Sequence, residues 1–251
     1  MDLLRPAETV DDPLAPYAAV TRSRPDGSCW VMANMVGGLD GSASVGGRVG
    51  SLSTAPDAAL FSAMRTLADV VLVGAETVRR EGYATFSLTE EQVATRRAQG
   101  KPPAPTLAVV TRSLDLDWSS KAFTAAPPEN RALVLTCEAA DPDLVHRARQ
   151  VADVVVAGGD WVEPAAALRR LAERGHRVVL CEGGPHWLGE LVAADVLDEL
   201  CLTVSPIMGG DALPVSVSPP GGPVRHFALR QVMAEGDTLF LRYERGHDRE
   251  R

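Results

Sequence analysis

Aromatic side chains are scarce. Four Trp, three Tyr and five Phe make up only 5% of the 251 residues. The core must therefore be filled mostly by Val, Leu and Ala. There are four cysteines, Cys29, Cys137, Cys181 and Cys201, and no Cys-x-x-Cys among them. That spacing argues against a zinc ribbon, any other metal site and a disulfide framework, and it suits a reduced, cytoplasmic compartment. No apolar run approaches the ~18 residues of a membrane span. The start, Met1-Asp2-Leu3-Leu4-Arg5-Pro6, lacks the basic and apolar regions of a signal peptide. There is no Lys/Arg cluster, and the formal net charge is −8. Nucleic acid and membrane are thus disfavoured as partners, while a local basic pocket for a phosphate stays open. Neither Gly-x-Gly-x-x-Gly nor Gly-x-x-x-x-Gly-Lys-Ser/Thr occurs, which counts against a Rossmann fold and a phosphate loop.

What is present is ordinary globular composition, 45% hydrophobic and 23% charged. Residues 1–27, rich in Pro, Asp and Ala, read as an arm over the surface of a domain spanning 28–246, with a polar tail at 247–251. Short apolar runs predict strands at Trp30–Met35, Val70–Val73, Thr106–Thr111, Ala132–Thr136, Asp153–Ala157, Arg177–Cys181 and Glu199–Val204. Helical stretches alternate with them, at about Pro56–Ala68, Pro142–Val151, Glu163–Arg174 and His186–Ala193. Thr54 is the N-cap candidate of the first. Such alternation implies an α/β sheet. Phe227–Ala234 and Thr238–Tyr243 flank a Gly turn and predict a hairpin, which makes the sheet mixed with an antiparallel C-terminal edge. The long stretch Glu81–Pro105 reads as a loop covering a site, helical around Glu90–Ala98. The pairs Arg79-Arg80, Arg96-Arg97 and Arg169-Arg170 read as solvated faces, and Cys181 as core.

Four strand ends carry Gly or polar loops suited to a nucleotide. In Cys181-Glu182-Gly183-Gly184-Pro185-His186-Trp187, two glycines permit close backbone approach, and the helix start offers free N–H groups to a phosphate. Gly74-Ala75-Glu76-Thr77 repeats that logic, with Thr77 either a cap or a phosphate contact. In Gly37-Gly38-Leu39-Asp40-Gly41, Asp40 either binds a ligand or fixes the turn. Thr111-Arg112-Ser113 offers a planar donor fork to a phosphomonoester such as the 2′-phosphate of NADPH. Lone histidines such as His186 and His226 are more often structural than catalytic, and Trp187 also reads as packing the start of its helix.

Taken together, Gly38-Leu39-Asp40-Gly41, Arg65, Gly74 to Val78, Glu182 to Pro185, Val196 to Leu200 and Ser205 to Gly210 resemble, in order and spacing, the pyrimidine reductase family of bacterial riboflavin biosynthesis. The match runs from about Trp30 to Tyr243. The resemblance implies a three-layer, dihydrofolate-reductase-like α/β fold and NADPH as cofactor. It implies reduction of the ribosyl group of 5-amino-6-(5-phosphoribosylamino)uracil to the ribityl form, and a homodimer, with Glu199–Val204 and the turn after it as a possible contact. It makes Arg65, Glu182 and Asn34 substrate contacts. Ser51, Gly74, Thr77, Thr111, Arg112, Gly158, Gly183, Gly184, Pro185, His186 and Trp187 become cofactor contacts, and Glu81 or Asp40 becomes the proton source. Two departures stand out. Arg79 to Phe86 replaces the family's Asp-Asn-Pro-x-Leu-Thr-x-Arg, so one phosphate-binding Arg is missing. The His-x-Glu and Pro-Cys-x-x-Cys of the fused deaminase are absent, which places that activity in another protein. Two other readings remain: an NADPH reductase of the same fold for another pterin- or pyrimidine-like ring such as dihydrofolate, and a nucleotide-binding protein without turnover.

Overall fold

The computed structural model describes residues 9–246. The first eight residues of the expected arm and the expected polar tail, 247–251, lie outside the described residues. Nine strands form one sheet: β1 Trp30–Gly37, β2 Val70–Gly74, β3 Thr106–Val110, β4 Leu133–Thr136, β5 Asp153–Val156, β6 Val178–Cys181, β7 Glu199–Val204, β8 Phe227–Glu235 and β9 Thr238–Arg245. Their spatial order is β5-β4-β3-β2-β6-β1-β7-β9-β8. The pairs from β5 to β7 are parallel, whereas β9 runs antiparallel to both β7 and β8. The mixed sheet and its C-terminal hairpin thus follow the sequence reading, strand by strand within a residue or two at most ends.

The helices are α1 Ala15–Ala18, α2 Ala55–Met64, α3 Ala75–Glu81, α4 Glu90–Ala98, α5 Lys121–Thr124, α6 Pro142–Val151, α7 Pro164–Glu173 and α8 Pro185–Ala193. Thr54 caps α2 by accepting from the Asp57 N–H. Two layers of helix cover the sheet, which is why the inner strands are apolar on both faces. Val31, Ala33, Leu72 and Val179 point to α7 and α8, packing against Leu168, Leu171, Leu188 and Leu191. On the opposite face Met32, Val71 and Leu180 meet Tyr17 of α1 and Leu60 and Met64 of α2. Farther along that face, Val73, Val109 and Val134 meet Val78 of α3 and Leu144 of α6.

The strand order sets the edges of the sheet, and one reading, that of Arg96, is corrected here. Strand β7 lies inside the sheet, hydrogen-bonded to β1 and to β9 along its length, so its backbone edge is spent within the chain. The open edge after the hairpin is β8, next to β9 alone. Arg96 is not solvated: it is fully buried. Its guanidinium donates to the carbonyls of Arg65, Thr66, Ala68 and Pro102, because α4 folds back under the end of α2. Arg97, Arg169 and Arg170 are exposed as expected.

The arm is held by charge as well as by Tyr17. Arg22 makes a bidentate pair with Glu199, at 2.9 and 2.7 Å, and Arg24 pairs with Asp198. Glu199 has no exposed side-chain surface and also accepts from the Trp30 indole at 3.1 Å. Removing one partner of a buried pair strands the other charge, which costs roughly 3–5 kcal/mol. Arg22→Ala should fall at the low end of that range, since Arg242 remains 3.6 Å from Glu199; urea unfolding measures it.

Asp69 ties the starts of β2 and β6 together at the centre of the sheet. It accepts from the Arg177 and Val178 N–H groups and pairs with Lys101. Burial pushes its carboxyl up, but Lys101 and the two N–H groups more than offset this, and the net direction is down. A carboxyl with a lowered folded pKa stabilises the fold above its unfolded value, about 3.9, and loses that contribution as pH falls through the folded value. Asp69→Asn should therefore be less stable than the native chain at neutral pH, and the two urea midpoints should converge below about pH 4.

Candidate active site

The C-terminal ends of β1, β2, β3, β4 and β6 open into one cleft of about 1350 Å³. This is where open parallel sheets bind ligands. Its floor at β6 is an ionic cluster. Glu182 follows the last residue of β6 and is buried at 6% exposure. Arg65, the C-cap of α2, donates to both its oxygens, Nε to Oε1 at 2.6 Å and Nη2 to Oε2 at 2.7 Å. The Tyr83 hydroxyl donates to Oε2 at 2.8 Å. Burial pushes the Glu182 carboxyl up further than Arg65 and Tyr83 pull it back, so the net direction is up. Burial, together with the Glu182 charge, pushes the Tyr83 phenol well above its ordinary range, so it stays a neutral donor. Three of the few rings in the chain surround the guanidinium: Phe86 at 4.6 Å, Phe61 at 4.8 Å and Tyr83 at 5.9 Å from its carbon. Asn34 of β1 is buried beside this cluster, and its amide has no hydrogen-bond partner among the described residues.

The middle of the cleft is glycine. Gly183 and Gly184 have φ of +126° and +73°, conformations costly for any residue with a Cβ. Gly184 is the N-cap of α8, and no side chain caps that helix, so its first N–H groups are open. The Gly74 N–H donates to the Gly183 carbonyl at 3.1 Å, which brings the start of α3 alongside. The Thr77 hydroxyl stands over both glycines, 3.8 and 3.6 Å from where their Cβ atoms would be. Trp187 packs into the core, and its Nε1 has no partner among the described residues. His186 is exposed on the wall. At the β3 end, Arg112 lines the cleft with no carboxylate partner among the described residues. Its guanidinium lies 4.3 Å from the Trp161 ring centre. The Thr111 hydroxyl caps its own loop by accepting from the Leu114 N–H.

Thirteen of the sixteen residues expected at the site line this cleft: Asn34, Arg65, Gly74, Thr77, Glu81, Thr111, Arg112, Glu182, Gly183, Gly184, Pro185, His186 and Trp187. Asp40, Ser51 and Gly158 are not in its lining. The Asp40 carboxylate accepts from the Ser42 hydroxyl and N–H and from the Gly209 N–H, which hold it below the usual carboxylate range. It fixes the turn, the second of the two roles its loop allowed. Glu81 is exposed at the rim, where Oε1 accepts from the Val49 N–H at 3.2 Å. Residues that the sequence reading missed are Tyr83, Phe61, Phe86 and Asp57. Tyr83 and Phe86 lie in the very segment that departs from the family pattern. Asp57, in the first turn of α2, is buried at 4%, lines the cleft and accepts from Ser53.

The pair at the floor should behave as a unit. Arg65→Ala leaves Glu182 buried and unpaired, and should destabilise the fold by about 3–5 kcal/mol. Arg65→Met with Glu182→Leu removes both charges and should recover most of that loss in urea unfolding.

Comparison with known proteins gives the chain its family. The model of the RibD C-terminal domain family matches residues 29–240. The 2,5-diamino-6-ribosylamino-4(3H)-pyrimidinone 5′-phosphate reductase of Archaeoglobus fulgidus is 28% identical over 182 residues, covering 72% of this chain and 82% of that protein. The reductase of the same name from Aquifex aeolicus is 29% identical over 187 residues, covering 72% and 78%. A pyrimidine reductase-like protein from Corynebacterium diphtheriae superposes with a TM-score of 0.82 at 24% identity, covering 94% of this chain and 98% of that one. The riboflavin biosynthesis reductase Rib7 of Saccharomyces cerevisiae superposes at 0.65 with 16% identity, covering 92% and 95%. At such identities the two structures speak for the fold alone. The family match covers most of the chain, and the chain belongs to the RibD C-terminal domain family of reductases.

Proposed function

We propose that the protein is an NADPH-dependent reductase of riboflavin biosynthesis. In this reading it converts the ribosyl group of a 5′-phosphorylated ribosylaminopyrimidine to the ribityl form. The observation that carries the reading is the order of groups along one sheet edge. A polar and aromatic pocket at β1 and β6 suits a pyrimidine. Next to it an uncapped, glycine-started helix suits a pyrophosphate. An unpaired Arg at β3 suits a 2′-phosphate. The relatives' names supply the substrate class.

When bound, NADPH supplies a hydride to the sugar C1. The chain supplies position and a proton. Gly183, Gly184, the first turn of α8 and Thr77 would hold the pyrophosphate, and Arg112 with Ser113 the 2′-phosphate. Glu182 has three donors on it and no exposed side-chain surface, so its part is to hold Arg65 and Tyr83 in place at the pocket floor. The Asn34 amide offers a donor and an acceptor to the ring edge. Arg65 keeps Nη1, which donates to nothing else among the described residues. Of the acids on the substrate side, Asp40 is outside the cleft lining, Glu182 is committed, and Glu81 is exposed and anchors the Val49 loop. Asp57, buried and held by one hydroxyl, is the carboxyl best placed to relay the proton.

Mixing the protein with NADPH and the phosphoribosylaminopyrimidine should give loss of reduced-cofactor absorbance; absence of turnover refutes the reading. Asp57→Asn should lower kcat by about 10²–10⁴-fold, the usual worth of a general acid. Glu81→Gln should raise KM while leaving kcat near native, and a comparable fall in kcat would return the proton role to Glu81. Arg112→Ala should cut the preference for NADPH over NADH by about 10–100-fold, the loss of one charged hydrogen bond. A second reading keeps hydride transfer from NADPH and changes the substrate, to another pterin- or pyrimidine-like ring such as dihydrofolate. It is favoured by Tyr83 and Phe86, which bring two rings to Arg65 from the segment that departs from the family pattern.

A further inference from the structure

Trp161 is the anomaly of the surface. The chain has four tryptophans, and this one is 66% exposed. Its loop is nevertheless built, not loose. The Glu163 N–H donates to the Ala157 carbonyl at 2.8 Å, and the Glu138 and Ala139 N–H groups donate to the Gly158 and Gly159 carbonyls. The Cys137 thiol reaches the Asp160 carbonyl. Gly158 has φ of +128°, and a Cβ there would stand 2.1 Å from the Trp161 carbonyl oxygen. The glycine expected to touch the cofactor thus shapes the turn that presents the indole. One face of that indole carries the Arg112 guanidinium, and Arg112 lines the cleft. Strands β3, β4 and β5 are neighbours, so this loop at the β5 end flanks the cleft beyond Arg112. From the Gly183–Gly184 turn at β6 to Arg112 at β3 is two strand spacings, roughly 10 Å, the scale of an adenosine.

We propose that Trp161 and Arg112 together form the binding site for a 2′-phosphorylated adenosine, the indole stacking on the adenine while Arg112 holds the phosphate. This rests on the cofactor reading above and adds a residue outside the cleft lining. A rigid loop that exposes a large ring beside an unpaired cation provides both things such a ligand needs, a flat apolar platform and a fixed donor fork. Base stacking on an aromatic side chain is sequence-tolerant but strong enough to measure.

The test uses the full chain and adenosine 2′,5′-bisphosphate, which has the adenine and the 2′-phosphate but no nicotinamide. Calorimetry and tryptophan fluorescence follow binding to the native chain, Trp161→Phe and Trp161→Ala. The bisphosphate should quench native fluorescence, and the quench should vanish in Trp161→Phe while affinity stays within a few-fold. Trp161→Ala should bind about five- to a hundredfold more weakly, with unchanged thermal stability because the ring is exposed. Equal binding by Trp161→Ala and native chain, with Arg112→Ala still impaired, overturns the proposal and leaves the cofactor reading intact. Failure of the native chain to bind either the bisphosphate or NADPH overturns both.

Discussion

The site depends on one buried carboxylate. Strand β6 runs between β1 and β2 at the centre of the sheet, and Glu182, just after its last residue, is buried. Placing Glu182 there would be prohibitive without partners, because an unpaired buried charge costs several kcal/mol. The partners come from far along the chain, Arg65 from the end of α2 and Tyr83 from the segment after α3. Satisfying Glu182 therefore fixes how three separate segments meet. It also spends most of the charge at the cleft floor before any ligand arrives. What remains is a shaped and mostly neutral pocket with a few defined donors and acceptors, the kind of surface that orients a planar polar ring.

Arg65 can serve this purpose because its backbone is held from beneath. A helix leaves its last carbonyls without partners, and cations are favoured there. Arg96 supplies one, donating to the carbonyls of Arg65, Thr66 and Ala68. Lys101 adds a bond to the Leu67 carbonyl and reaches Asp69. The stretch from 81 to 105, which reads as a cover over the site, is thus clamped under α2 at one end. At the other, Tyr83 touches Glu182 and Phe86 packs on Arg65. It forms a wall of the cleft as well as a cover for it.

Local signals in the sequence were legible. Apolar runs marked the strands, and Thr54, Gly184 and Pro185 marked helix starts, because these depend on residues close together in the chain. The glycine and Arg loops stood out for the same reason. What was not legible depends on the order of strands. Nothing near Glu199 shows that β7 lies inside the sheet, or that Arg22, 177 residues away, pairs with it. Nothing near Arg96 shows that its partners are carbonyls some thirty residues upstream. Asp40 allowed two roles, and hydrogen bonds to Ser42 and to Gly209 decided for the turn. Tyr83 and Phe86 looked like a loss of the family pattern, when they supply the donor and rings around Arg65.

On the proposed cofactor reading, the same dependence on strand order takes the place of a Gly-x-Gly-x-x-Gly segment. That motif gathers its close approach and helix start in one loop. Here β2 and β6 are neighbours although more than a hundred residues separate them, so the loops that follow them lie side by side. Gly74 donates to Gly183, and α3 and α8 begin next to each other with neither N-cap filled by a side chain. The uncapped start of α8 presents N–H groups and the positive end of its dipole to the cleft, with the Thr77 hydroxyl beside it. Each loop alone is a weak signal. Their adjacency, set by the sheet, is what supports the proposed pyrophosphate site.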